Sequence, residues 1–143
     1  YDKPVITLDI LPTIVTAGGG NVLPEWNLHG INLLPFLDEK LYEKPHDWLF
    51  WRMGGTKAAR HGKWKLLYNG KSGYGGHGVS EGEAQWLLFD LEADPAEQRD
   101  LSLVFPDIYK NMLAEYDKWE SNQMEPRWPF GASGQMGQWE PEE

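Results

Sequence analysis

Lys57–Leu101, KAARHGKWKLLYNGKSGYGGHGVSEGEAQWLLFDLEADPAEQRDL, decides the reading of this chain. Trp64–Tyr68 and Trp86–Leu91 are short runs rich in aromatic and aliphatic residues, the composition of strands. Between them lies a glycine-rich loop at 69–85, and after them an acidic turn that hands over to a helix. Just ahead, Ala58–His61 is joined to Trp64 by Gly62-Lys63, a turn short enough for a hairpin. The stretch therefore predicts an antiparallel meander.

Working outward, Trp48-Leu49-Phe50-Trp51 reads as another strand, turned back by Gly54-Gly55. It is too apolar for a half-exposed strand, so a central position, or cover on both faces, is expected. Pro106 and Asp107 suit the first turn of a helix, where Pro loses no bond and an acid meets the macrodipole favourably. Ile108, Tyr109, Met112, Leu113, Tyr116 and Trp119 then follow helical spacing along one face. Upstream, Asp9 reads as an N-cap, Pro12 lies in the first turn, and Ile10, Leu11, Ile14 and Val15 share a helical face before Gly18-Gly19-Gly20 ends it. Ile31–Leu37 reads as a short apolar turn or helix.

The expected fold is α+β. It has a four-stranded antiparallel sheet (about 48–53, 57–61, 64–68 and 86–91), a long helix (about 106–121) packed on it, and an N-terminal helix (about 10–17). Residues 1–120 would form the folded part and 121–143 a Pro-, Gly- and Glu-rich tail.

Composition narrows the function. Apolar residues make up 41% of 143, with 8 Trp, enough for one core and against disorder of the whole. The net charge of −9 argues against nucleic acid and anionic membrane surfaces, which need clustered Lys and Arg. No apolar run approaches the roughly 18 residues of a membrane span. The polar opening Tyr1-Asp2-Lys3 does not read as a signal peptide. With no Cys there is no disulfide, thiolate metal site or cysteine nucleophile.

Several local patterns suggest chemistry and then lose it. Gly73-Tyr74-Gly75-Gly76-His77-Gly78 matches G-x-G-x-x-G after a strand. A dinucleotide site also needs a helix opening at the last glycine, and here another strand follows. His29, His46, His61 and His77 lack metal-site spacing and read as surface or loop residues. Asp90, Asp94, Glu97 and Asp100 lack the glycine and alternation of a calcium loop, so turn and cap chemistry accounts for them. Trp48, Trp51, Trp64 and Trp86 lie in predicted strands, where an aromatic ring is more often core than a sugar platform.

The order of four further patterns adds a resemblance. Asp9-Ile10-Leu11-Pro12-Thr13 resembles the "DxxPT" helix of the formylglycine-dependent sulfatases, of the alkaline-phosphatase-like superfamily. His29-Gly30-Ile31-Asn32-Leu33-Leu34-Pro35-Phe36-Leu37 is similar to their "DG.SL.P.L" segment, with Asn32 where Ser is common. Ala58–Leu66 resembles "xxRxGxWKL", and Leu88–Leu101 resembles "LYDLxxDPxExxNL". Each pattern is weak alone; together, in order, they identify the C-terminal region of such an enzyme, the N-terminal catalytic domain being absent.

The resemblance implies a parent that hydrolyses sulfate esters. Its formylglycine nucleophile arises in a C/S-x-P-x-R motif, and its metal, usually calcium, is held in the catalytic domain. None of this carries over: no Pro stands two residues beyond Ser72, Ser80, Ser102, Ser121 or Ser133. The chain alone is expected to be inactive, with no catalytic residue, metal ligand or cofactor of its own. Its implied role is to pack on the catalytic domain and edge the substrate cleft with the turn at 53–56 and the loop at 69–85. Lys57, Lys71, Tyr74 and His77 are then the candidates for contacting an anionic, sulfated carbohydrate. Expected partners are the catalytic domain or a second copy, with no nucleic acid and no membrane, and a periplasmic or secreted location if the parent follows the family. The rival readings are a free-standing carbohydrate-binding module and a structural or oligomerisation domain. An exposed apolar docking face would favour assembly, and aligned exposed aromatics the module.

Overall fold

The computed structural model describes residues 1–38, 40–53, 55–69 and 84–124, with the Asn69 side chain left aside. The chain divides into two compact units, Tyr1–Leu49 and Phe50–Glu143. Among the described residues no helix is long and apolar enough to cross a membrane.

In the first unit a turn of 3-10 helix at Thr7–Asp9 leads directly into α1 (Ile10–Ala17), and α2 is a single turn at Leu34–Leu37. Asp9 stands at the head of α1 but caps nothing in it. Fully buried, it accepts the Ile6 N–H (2.9 Å) on one oxygen and the Ile31 N–H (2.9 Å) on the other. The ring nitrogen Nε2 of His46 lies 3.0 and 2.9 Å from the two oxygens. Since an ionised carboxylate only accepts, that nitrogen carries the hydrogen. Asp9 thus occupies the expected N-cap position without making a capping bond, and His46, expected as a surface or loop residue, lies in a loop with its side chain only 13% exposed. The reason is that a buried charge must be fully bonded, which outweighs one exposed capping bond.

Thr13 repeats the pattern one turn on. Its hydroxyl donates to the Asp9 carbonyl at 2.6 Å and accepts the Leu33 N–H at 2.9 Å. Residues 30–33 are so close to α1 that a Cβ on Gly30 would lie 1.9 Å from the Leu8 carbonyl oxygen. No side chain fits there.

From Trp48 onward, β1 (Trp48–Met53), β2 (Thr56–His61), β3 (Trp64–Asn69) and β4 (Gln85–Asp90) form a sheet in the order β1-β2-β3-β4, all of it but the first two residues of β1 in the second unit. Ala59 pairs with Leu66 and Leu66 with Leu88, in antiparallel register. Gly62, at φ +57°, makes the tight turn between β2 and β3. The final helix, α3 (Pro106–Glu120), begins with Pro106 at its first position and Asp107 in its first turn. It packs on β2 and β3.

Strand alternation then sorts the side chains. Ala59, Leu66 and Leu88 are fully buried, opposite Met112 and Tyr116 of α3, which are equally inaccessible. Phe50 stacks on Trp119 (centroids 5.2 Å), and Trp86 meets Tyr116 edge-on at 4.9 Å. These contacts explain the apolar run at 48–51, but β1 is an edge strand, not a central one. Trp51 and Met53 alternate to the far side and are 38% and 57% exposed. Leu49, on the same side as Trp51 and Met53, is itself buried, so the run is covered on both faces at its start and on the α3 face alone towards its end.

The Gly30 contact yields a direct test. Gly30→Ala should destabilise the chain by at least about 2 kcal/mol, because the added methyl meets rigid backbone. Urea unfolding followed by circular dichroism measures it, and a change within about 0.5 kcal/mol would refute the packing.

Candidate functional site

The strand register gathers one end of the sheet. Lys57 pairs with Tyr68, and Asn69 with Gln85, so the β1–β2 turn and the β3–β4 connection leave from the same end. Of the four residues singled out by sequence, Lys57 lies there. Lys71, Tyr74 and His77 belong to 70–83, outside the described residues.

Lys57 is engaged. Its ammonium lies 2.7 Å from Glu120 Oε2, at the C-terminal end of α3, and 5.8 Å from the Tyr116 ring centroid. Arg52 approaches the same carboxylate at 3.6 Å and donates to the Met124 carbonyl at 2.6 Å. An acid in the last turn of a helix opposes the macrodipole, and two cations brought from β1 and β2 reverse that penalty. Sequence reading missed Arg52 and Glu120 because their meeting depends on how α3 lies across the sheet. The signal available was the spacing of Glu120 four residues after Tyr116, which puts both on the sheet-facing stripe.

Beside the cations lie rings. Tyr68 and Trp86 face each other at 5.1 Å, and Trp86 runs on to Tyr116 and Trp119. The Tyr116 hydroxyl is buried with no hydrogen-bond partner among the described residues. Burial first, and then the Glu120 charge, push its pKa up from the usual phenol value. Paired cations beside aromatic rings can hold an anionic group next to a sugar face.

The acidic turn after β4 is structural. Asp90 accepts the Lys63 ammonium at 2.7 Å and the backbone N–H groups of Glu92 and Ala93 at 3.1 and 3.3 Å. Asp94 caps Gln98 and Arg99, Glu97 takes the Lys65 ammonium at 2.6 and 2.7 Å, and Asp100 accepts from the Leu88 and Ser102 amides. No cluster of three or more His, Cys, Asp or Glu able to hold a metal ion occurs among the described residues. The first unit also carries an open cavity of about 680 Å³, lined by Tyr1, Lys3, Phe36, Leu37, Leu41 and Tyr42 among others. The ammonium of Lys3 is turned to the Tyr42 and Glu43 carbonyls.

A small antiparallel sheet backed by one long helix, with its acids spent on turns, can now be placed among known proteins. No family model matches the chain. It is 31% identical over 130 residues to an uncharacterized sulfatase of Schizosaccharomyces pombe, a match covering 80% of the chain and 21% of that protein. It is 32% identical over 133 residues to Arylsulfatase D of Homo sapiens, covering 78% and 22%. The crystal structure of Ps i-CgsB superposes with a TM-score of 0.66 at 27% identity, covering 90% of the chain and 27% of that structure. The same protein has been solved in complex with k-i-k-neocarrahexaose. Over most of its length the chain is thus homologous to part of the sulfatases. It spans about a fifth of the length of the curated relatives it matches.

The turn acids make stability depend on pH. The Lys63 hydrogen bond, then the Ala93 and Glu92 amides, hold the Asp90 carboxyl below its ordinary 3.8 against the opposing effect of desolvation. For Asp100, desolvation is the largest effect and acts upward, yet the Leu88 and Ser102 amides and the Ser102 hydroxyl together bring it below 3.8. The unfolded chain therefore takes up protons first. The stability these carboxyls contribute is present above about pH 4 and is lost as pH falls through the lower folded values. Asp100→Asn should be less stable than wild type at pH 7, with the gap narrowing below about pH 4 in thermal melts. A gap unchanged down to about pH 2 would contradict this.

Proposed function

We propose that the chain serves as the C-terminal subdomain of a sulfatase, packing on a catalytic domain and edging its substrate cleft without a catalytic centre of its own. The observation that carries this reading is the pairing of sulfatase homology over most of the chain with coverage of only about a fifth of each relative. The absence of any C/S-x-P-x-R motif supports it. Formylglycine and a metal, calcium in the family's usual form, then belong to the catalytic domain, and no step of hydrolysis is assigned to residues of this chain.

In this reading the loop end of the sheet faces the cleft. Lys71, Tyr74 and His77 contact the substrate as donors and a stacking ring. Lys57 acts with them from the sheet, its ammonium shared with Glu120. The substrate class is a sulfated carbohydrate, in keeping with the oligosaccharide found in the complex of Ps i-CgsB. The location follows the parent enzyme, periplasmic or secreted.

The test is kinetic. In the full-length enzyme, Lys71→Ala/Tyr74→Ala/His77→Ala should lower kcat/KM by about tenfold or more on a sulfated oligosaccharide. That is the loss expected when one or more charged hydrogen bonds disappear. An arylsulfate too small to reach the loop should be turned over as by wild type. Equal kcat/KM on the oligosaccharide would sink the cleft assignment. Lys57→Met is measured separately, with its thermal stability, because Lys57 also holds Glu120.

A further inference from the structure

The N-terminal helix is built with its polar side inward. Along α1, at 100° per residue, Asp9, Pro12, Thr13 and Thr16 fall on one side, and Ile10, Leu11, Ile14 and Ala17 on the other. Asp9 and Pro12 are buried, while Ile10, Leu11 and Ile14 are 54%, 52% and 63% exposed. An ordinary surface helix would be turned the other way.

The helix cannot roll to correct this. Asp9 is held by Ile6, Ile31 and His46, and Thr13 by Leu33, so rotation would break four polar contacts and strand a buried carboxylate. The Gly30 backbone lies against Leu8 and Asp9 with no room for a side chain, which fixes the depth of the helix as well as its rotation. The outward apolar stripe is therefore a fixed product of the internal bonding.

We infer that this stripe, Ile10, Leu11 and Ile14, is the surface on which the sulfatase catalytic domain packs. The inference deepens the functional reading above and rests on it. The occupant is available in such an enzyme, since the curated relatives extend to nearly five times the matched length. The alternatives fit less well. A second copy would bring another −9 charge against the first, which opposes self-association. A lipid surface is disfavoured by the same charge, and residues 10–17 contain no Lys or Arg to meet headgroups. What the stripe offers is an unbroken apolar strip to an apolar surface of another domain.

Because the chain has no Cys, a single thiol can report on the stripe. The experiment uses the full-length sulfatase carrying this segment, with Ile14→Cys or, as a control on α3, Lys118→Cys, whose side chain is 75% exposed in the native position. Maleimide labelling of each site is followed by peptide mass spectrometry in the native and the urea-unfolded protein. Position 14 should label at least about tenfold more slowly in the native protein, and position 118 at similar rates in both states. Ala17→Cys, on the same stripe with a smaller change in volume, should repeat the result for position 14 and guards against an Ile14 variant that fails to assemble. Native labelling at 14 and 17 as fast as at 118 would overturn the inference, as would a disulfide or cross-link through position 14 joining two full-length copies. Turnover of a sulfate ester by the same preparations separates the two readings. Active enzyme with a freely labelled stripe defeats the docking face alone, whereas a protected stripe in a protein that cleaves no sulfate ester leaves docking standing and defeats the sulfatase reading.

Discussion

One buried carboxylate organises the first unit. Asp9 has no exposed surface, and its oxygens are taken by two backbone amides and an imidazole drawn from three places in the chain. Burying an ion is costly unless every lone pair is met, so the three donors must arrive together or not at all. That requirement fixes the approach of residues 30–33 to α1, demands glycine at position 30, and brings the connector before β1 back to the head of the helix. It also sets the helix with its threonines inward and its aliphatic side chains outward.

The second unit follows ordinary rules of sheet and helix. Ala59, Leu66 and Leu88 line up across β2, β3 and β4 beneath α3, and rings from β1, β3, β4 and α3 complete the contact. Polar groups gather at the margins. Lys57 and Arg52 meet Glu120 where α3 ends, and Lys63 and Lys65 meet Asp90 and Glu97 beneath the turn that follows β4. Such partly exposed pairs contribute little each, about 1 kcal/mol or less, and matter chiefly by fixing where each element stops.

Much of this was legible in the sequence. The four strands and α3 begin and end within a residue of the expected positions, because alternation, tight turns and Pro106 are local signals. The acids at 90–100 were readable as turn chemistry for the same reason. What escaped was set at long range. Asp9 finds Ile31 and His46 at separations of 22 and 37 residues, where no local spacing marks a partner. The apolar run at 48–51 pointed to a strand that is central or covered on both faces and could not say that β1 is an edge strand, since composition records how apolar a strand's surroundings are and not how many neighbours it pairs with. Of the candidate site, the sheet end that carries Lys57 was legible from the connectivity, whereas the meeting of Arg52 and Glu120 depends on the docking of α3.

The account's central claim is that the Asp9 carboxylate holds the first unit together and thereby turns the apolar stripe outward. Hydrogen exchange at the Ile6 and Ile31 amides, read by NMR in the wild-type chain and in Asp9→Asn, tests it most directly. In wild type these two amides should be among the slowest of residues 1–49 to exchange. In Asp9→Asn, where one carboxylate oxygen becomes a donor facing donors, they should exchange at least about tenfold faster. Exchange in wild type as fast as in an exposed loop, or protection unchanged by the substitution, would contradict the account.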